Sequence, residues 1–191
     1  MSELQKGRFN HMGTARLRLS ALAVLVGVTA LCAACGDPKL PPLALAPHVE
    51  LERFMGSWYV IGCIPTRLER AAYNAIENYQ LLADGSIDTT FKFNAGASDG
   101  PLKTYHPHGF VFDRASNAVW GMRFIWPIKA DYRIMFVSPD YSETVIGREA
   151  RDYVWIMARQ PHLPATEYAR LTALIAAQGY SLESLRLVPQ L

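Results

Sequence analysis

The stretch "MGSWYVIGC", Met55–Cys63, sets a tryptophan two places after a glycine and then runs through Tyr, Val and Ile without a charge. Aromatic and β-branched side chains favour a strand, and a glycine before a bulky side chain marks a close approach of other groups to the backbone. An ordered domain is therefore expected to begin just ahead of it, near Leu51.

From Leu51 to about Gln160 the chain reads as short segments of two-residue alternation separated by turn signals, the pattern of an antiparallel barrel or sandwich. In "SIDTTFKFN", Ile87, Thr89, Phe91 and Phe93 share one face, with Asp88, Thr90, Lys92 and Asn94 on the other. The segment follows "LLADGS", whose Asp84-Gly85 is a strong hairpin signal, and "NAIENYQLL" supplies the strand before it. Further strands are expected at "HGFVFDR", "AVWGMRFIW", "DYRIMFV", "ETVIGR" and "DYVWIMAR", which with the Trp58 strand, "NAIENYQLL" and "SIDTTFKFN" make eight. Hairpin-linked neighbours in up-and-down order can close into a barrel wide enough for one small ligand. After them comes one C-terminal helix. Pro164 suits its first turn, Tyr168, Leu171 and Ile175 share a face, and Gly179 suits its stop. A short ninth strand is expected at "LRLV".

The N-terminal part has a different character. Arg16 and Arg18 precede "LSALAVLVGVTALCAA", an uncharged run ending in small residues, which is the layout of a bacterial export signal over residues 1–34, with Met12 as an alternative start. Its sixteen residues fall short of the roughly 20 that span a bilayer. The end of this run, "LCAACG", resembles the lipobox at which lipoprotein signals are cut and the cysteine acylated, although Cys32 stands where an aliphatic residue is usual. That resemblance makes Cys35 the lipid attachment site and leaves Cys63 as the one thiol in the mature chain, so no intramolecular disulfide is expected. Residues 35–50 include the proline-rich "GDPKLPPLALAPHVE" and read as a lipidated, extended tether, leaving 51–191 as the domain. The formal charge of +2 misleads, because removing Lys6, Arg8, Arg16, Arg18 and Glu3 with the leader leaves fifteen basic and sixteen acidic residues. A net charge of −1 with no basic patch speaks against a nucleic-acid partner.

"GSWYVIG" resembles the first signature of the lipocalin family, and "RDYVWIMARQP" resembles the third, with "YRIMFVSPDYSETVIG" between them where the second belongs. "IPT" at Ile64–Thr66 and "LERAAYNAIENYQLLADG" look especially like apolipoprotein D and the bacterial outer-membrane lipocalins. The resemblance covers the domain from Leu51 to Val188 and implies an all-β fold: an eight-stranded up-and-down antiparallel barrel, or calyx. In it Trp58 would plug the closed end, Arg159 would cross its ring, and Gly56 would leave room for both. With Trp58 inward, alternation sends Val60, Gly62 and Ile64 inward and Cys63 outward.

The inward phase that the family suggests collects Val60, Tyr79, Phe91, Phe93, Phe124, Tyr132 and Trp155 around an apolar cup with tyrosine hydroxyls as its polar handles. The function so implied is binding, storage or transport of fatty acids, lysophospholipids or phospholipids at the bacterial envelope. The protein would sit on the outer membrane through its lipid anchor, facing the periplasm. No catalytic residue, metal site or cofactor is implied, and a homodimer stays open. Two motifs compete with this reading. "GASDG" matches the G-x-S-x-G nucleophile elbow and makes an esterase or lipid-modifying enzyme using Ser98 the alternative, but Pro101 and the absence of helical period leave it without a strand-to-helix turn. In "YHPHG", His106 and His108 are two histidines with no third ligand in register, the weakest form of a metal motif.

Overall fold

The computed structural model describes residues 40–125 and 127–191. The expected signal peptide and Cys35 lie outside the described residues. A single helical turn, α1 (Leu51–Phe54), leads into β1 (Gly56–Ile64), β2 (Ala72–Leu81), β3 (Ser86–Ala95), β4 (Leu102–Tyr105) and β5 (His108–Val111). There follow β6 (Val119–Ile125), β7 (Ile128–Val137), β8 (Glu143–Gly147), β9 (Val154–Ala158), α2 (Ala165–Ala177) and β10 (Arg186–Leu187). Among the described residues all strand pairs are antiparallel. The ladder runs β1-β2-β3-β5-β6-β7-β8-β9 and closes through β1–β9, an eight-stranded up-and-down barrel. The hydrophobic alternation supplies one buried face per strand, and closure leaves no long edge unpaired.

Two strands lie off this circuit. β10 pairs with β1 at Gly62 and Cys63, where a short ninth strand is expected. β4, which pairs with β3 from Phe91 to Asn94, has no counterpart in the sequence reading, because the polar "LKTY" carries no alternating pattern. The turn between β2 and β3 is stapled by Asp84, whose Oδ1 accepts from the Ser86 amide at 2.9 Å while Gly85 takes φ +77°.

The barrel separates two cores. Inside it Trp58, Tyr79 and Trp120 pack on Phe54 of α1, and Ile134, Ile146 and Met157 belong to the same core. Outside it Ile61, Val145 and Ile156 meet Leu171 and Ile175 of α2. Both helix residues are fully buried, each stabilising by about 1.5–3 kcal/mol. The C-terminus of α2 is turned by Gly179 at φ +87°.

Two expectations need correcting. Pairing of β1 with β9 shifts register between Val60 and Gly62, a bulge that reverses the alternation from that point. Cys63 therefore enters the barrel core, while Ile64 joins Ile61 in the outer core. Gly62 also faces outward, since a methyl group added there would stand 2.8 Å from the Tyr168 hydroxyl of α2. The second concerns residues 41–50, which lie against the barrel instead of extending from it. Leu43, Ala46 and Val49 are buried at three-residue intervals, the spacing of one face of a polyproline II helix.

Candidate functional site

The two ends of the barrel differ in chemistry. At the closed end, α1 covers the barrel and the Trp58 indole N–H donates to the Phe54 carbonyl at 2.8 Å. Arg159, just after β9, lies over the Trp58 ring with Cζ 3.8 Å from its centroid. Its guanidinium donates to the carbonyls of Ser57, Arg53 and Met55, each at 2.8 Å. Gly56 takes φ +91°, and an added Cβ would lie 3.3 Å from the Arg159 guanidinium. This end is filled and hydrogen-bonded.

The other end opens into a cavity of about 320 Å³. Four side chains expected in the cup line it: Phe91, Phe124, Tyr132 and Trp155. The remaining three do not reach it. Tyr79 sits lower, against Phe54 and Trp120 at ring-centroid distances of 5.7 and 5.8 Å. Phe93 packs on Phe91 at 5.3 Å and on Tyr105 at 6.1 Å, and Val60 lies opposite Met157 in the β1–β9 ladder. Aromatic bulk from α1 and β6 fills the lower barrel, which shortens the cup from below.

The walls also carry charge that the aromatic reading overlooked. Glu77 lines the cavity, level with Trp58 and Phe91 on the neighbouring strands. Its Oε2 accepts the Tyr79 hydroxyl at 2.6 Å, and that hydroxyl meets Tyr132 at 2.5 Å. Since the single Tyr79 proton goes to the carboxylate, Tyr132 donates to Tyr79, and a polar chain runs from the barrel floor to the cavity wall. Burial pushes the Glu77 carboxyl up to about 7; the Tyr79 bond opposes that rise and the nearby Glu69 charge adds to it. Burial likewise pushes the Tyr79 and Tyr132 hydroxyls well above the usual phenol range. Glu77 was legible, because a strand with Tyr79 inward must also turn Glu77 inward.

Glu69 is a further carboxylate, buried in the β1–β2 loop, where it accepts the Trp155 indole N–H at 3.2 Å and the Thr66 amide at 2.9 Å. It fixes the loop against β9 and orients the Trp155 ring. Nothing in the sequence pairs residues this far apart. Arg148 adds a cation to the wall, paired with Asp152 at 3.3 Å. Cys63 is sealed in the core, and burial pushes its thiol up to about 12.

Ser98 lies in the hairpin between antiparallel β3 and β4, not on a strand-to-helix turn, and its own carbonyl accepts from Asn74 at 3.2 Å. His106 falls between β4 and β5 and His108 opens β5, its ring tilted against Phe110 at a centroid distance of 4.9 Å.

A barrel of eight antiparallel strands, plugged at one end by a tryptophan under an arginine and open at the other into a cup, with one helix on its outer wall, defines a lipocalin. Residues 49–190 match the lipocalin-like domain family, and the chain belongs to it. Over 151 residues it is 27% identical to temperature-induced lipocalin-1 of Arabidopsis thaliana, covering 74% of this chain and 80% of the plant protein. It is 27% identical over 172 residues to the outer membrane lipoprotein Blc of Citrobacter freundii, covering 88% of this chain and 97% of the relative. Against bovine apolipoprotein D the identity is 24% over 161 residues, with 80% and 82% covered. The cockroach allergen Per a 4 superposes with a TM-score of 0.60 at 16% identity over 81% of this chain and 97% of its own, and so shares the fold.

Proposed function

We propose that this lipocalin binds a long-chain lipid (a fatty acid, lysophospholipid or phospholipid) and stores or moves it at the bacterial envelope, held to the outer membrane by acyl chains on Cys35 and facing the periplasm. The observation that carries the reading is the cavity of about 320 Å³ at the open end, walled by Phe91, Phe124, Tyr105, Met122 and Trp155. That size is at the small end for ligand pockets, which suits one or two alkyl chains better than a bulky ring system. Each methylene leaving water contributes about 0.8 kcal/mol before the entropy of binding is subtracted. Partition of this kind needs no bond to be made or broken. The names of two relatives, an outer membrane lipoprotein and an apolipoprotein, support the anchored, lipid-handling form of the reading.

Displacement of a fluorescent fatty acid tests it, with Trp155 as an internal probe at the cavity wall. Phe91→Asp is expected to abolish binding, since an unpaired carboxylate against an alkyl chain costs more than the roughly 2 kcal/mol a buried aromatic supplies. Ser98→Ala is expected to leave binding unchanged. Intact binding in Phe91→Asp, together with an ester-hydrolysing activity that Ser98→Ala removes, would replace the binding protein with an esterase. Cys35→Ala is expected to release the protein from the membrane pellet.

A further inference from the structure

The N-terminal segment enters the barrel from a definite side. The Pro41 carbonyl accepts from Arg151 at 2.6 Å and the Leu43 amide donates to Glu149 at 3.3 Å, both partners in the β8–β9 loop at the open end. The Ala44 amide donates to Gln178, at the end of α2 that reaches the same level. Further on, the Val49 amide donates to Ser116 in the β5–β6 turn at the closed end. The chain thus joins the domain beside the cavity mouth and runs down the barrel wall to α1.

Cys35 stands six residues before Pro41, so an anchor there reaches at most about 20 Å from the mouth. The ten-residue strands β2 and β3, tilted as barrel strands are, span about 25 Å along the axis. An acyl group at Cys35 is therefore on too short a leash to let the closed end lie on the bilayer, but long enough for the open end to rest there.

The rim is built for such a contact. Leu68 of the β1–β2 loop, Phe124 near the end of β6 and Ile128 at the start of β7 are 57%, 49% and 70% exposed around the mouth. Arg67, Arg70 and Lys103 are exposed on the same end, and none pairs with a carboxylate among the described residues, whereas the Lys129 ammonium turns down the outer wall to lie 3.9 Å from the Phe110 ring centroid. The rim acids Asp131, Glu149 and Asp152 are neutralised by Arg133, Arg151 and Arg148, which leaves Asp99 and Glu183, the latter between α2 and β10, as exposed acids there outside these pairs. Exposed apolar side chains ringed by free cations match an anionic phospholipid surface.

We propose that the open rim is a membrane-docking surface: Leu68, Phe124 and Ile128 enter the headgroup layer of an anionic phospholipid bilayer, with Arg67, Arg70 and Lys103 on its phosphates. The cup then opens onto the lipid instead of onto water, and a lipid chain passes between them without crossing the aqueous phase. This rests on the anchored, lipid-binding reading above.

The test uses the lipidated full-length protein in vesicles of phosphatidylethanolamine with phosphatidylglycerol, labelled with an environment-sensitive fluorophore at Ile128→Cys or, at the closed end, at Ala83→Cys. Flotation with the vesicles reads the anchor, and quenching by a nitroxide-bearing lipid reads which end touches the bilayer. The Ile128 label is expected to be quenched several-fold more than the Ala83 label. Arg67→Glu/Arg70→Glu/Lys103→Glu is expected to remove that difference while flotation persists, because each cation at an anionic surface strengthens binding about fivefold and three together roughly a hundredfold. Floating protein with equal quenching at both labels overturns the docking and leaves the anchor standing. Crosslinks between the Ile128 positions of two copies would give the rim to a second copy of the chain and likewise overturn it. Loss of flotation in the parent protein overturns the anchor and the docking together, whereas fatty-acid displacement from the cup is read separately.

Discussion

The guanidinium of Arg159 lies 3.8 Å above the Trp58 indole and fans its N–H groups onto three carbonyls of the α1–β1 segment, so one side chain both covers the ring and ties down the chain that carries it. Stacking contributes about 0.5–2 kcal/mol, and the charge-assisted bonds to the three carbonyls add more. Trp58→Ala is expected to cost about 3–5 kcal/mol as a large-to-small change in a filled core. Arg159→Lys keeps the charge but loses the planar fork, and should cost about 2 kcal/mol. Urea midpoints unchanged in both variants would refute the plug.

The raised Glu77 carboxyl makes stability depend on pH in a definite sense. The folded state holds this proton at about 7 against an ordinary value of 4.5, so its contribution is whole below 4.5 and is lost as pH rises through 7. The groups facing it are Tyr79, Tyr132 and Glu69, of which only Glu69 adds a negative charge near neutrality. Glu77→Gln removes the titration while keeping the acceptor for Tyr79. The variant is expected to gain on the parent protein between about pH 5 and pH 8, as read from urea midpoints along that range. A difference that stays flat with pH would show that Glu77 titrates normally.

Gly62 is expected to tolerate no side chain. A methyl group there would lie 2.8 Å from the Tyr168 hydroxyl and 2.9 Å from its ring, pushing α2 off the wall at a cost of about 1–3 kcal/mol. Tyr168→Ala empties the space, so Gly62→Ala should cost much less in that background. A strictly additive double variant, measured by thermal melting, would place Gly62 inside the barrel as plain alternation has it.

Cys63 should be chemically silent in the folded protein. Burial first, and the Glu69 charge second, push its thiol up to about 12, so almost no thiolate exists at neutral pH. In a Cys32→Ser/Cys35→Ser chain, Ellman's reagent is expected to react only as the barrel unfolds, with a midpoint equal to that of the melting curve. Rapid labelling under native conditions would put the thiol outside.

Much of this protein was decided locally. Eight runs of alternating residues, Asp84-Gly85 in its turn, and the Tyr168, Leu171 and Ile175 face before Gly179 state a barrel and a helix, because strand pleat, turn chemistry and helical period are properties of neighbouring residues. Gly56, Trp58 and Arg159 stand in the outer signatures for the same reason. What the tertiary structure decided depends on partners far away in the chain. The register shift between Val60 and Gly62 belongs to the fit of β1 on β9 and sends Cys63 inward against the count from Trp58. The polar β4 is a strand only because β3 offers it a ladder. Glu69 holds Trp155 across 86 residues, and Glu77 is held near neutrality by a cavity no single strand contains. Likewise the proline-rich stretch has no period that announces a core, yet the barrel wall gives Leu43, Ala46 and Val49 somewhere to be buried, and so brings the N-terminal segment to the mouth of the cup.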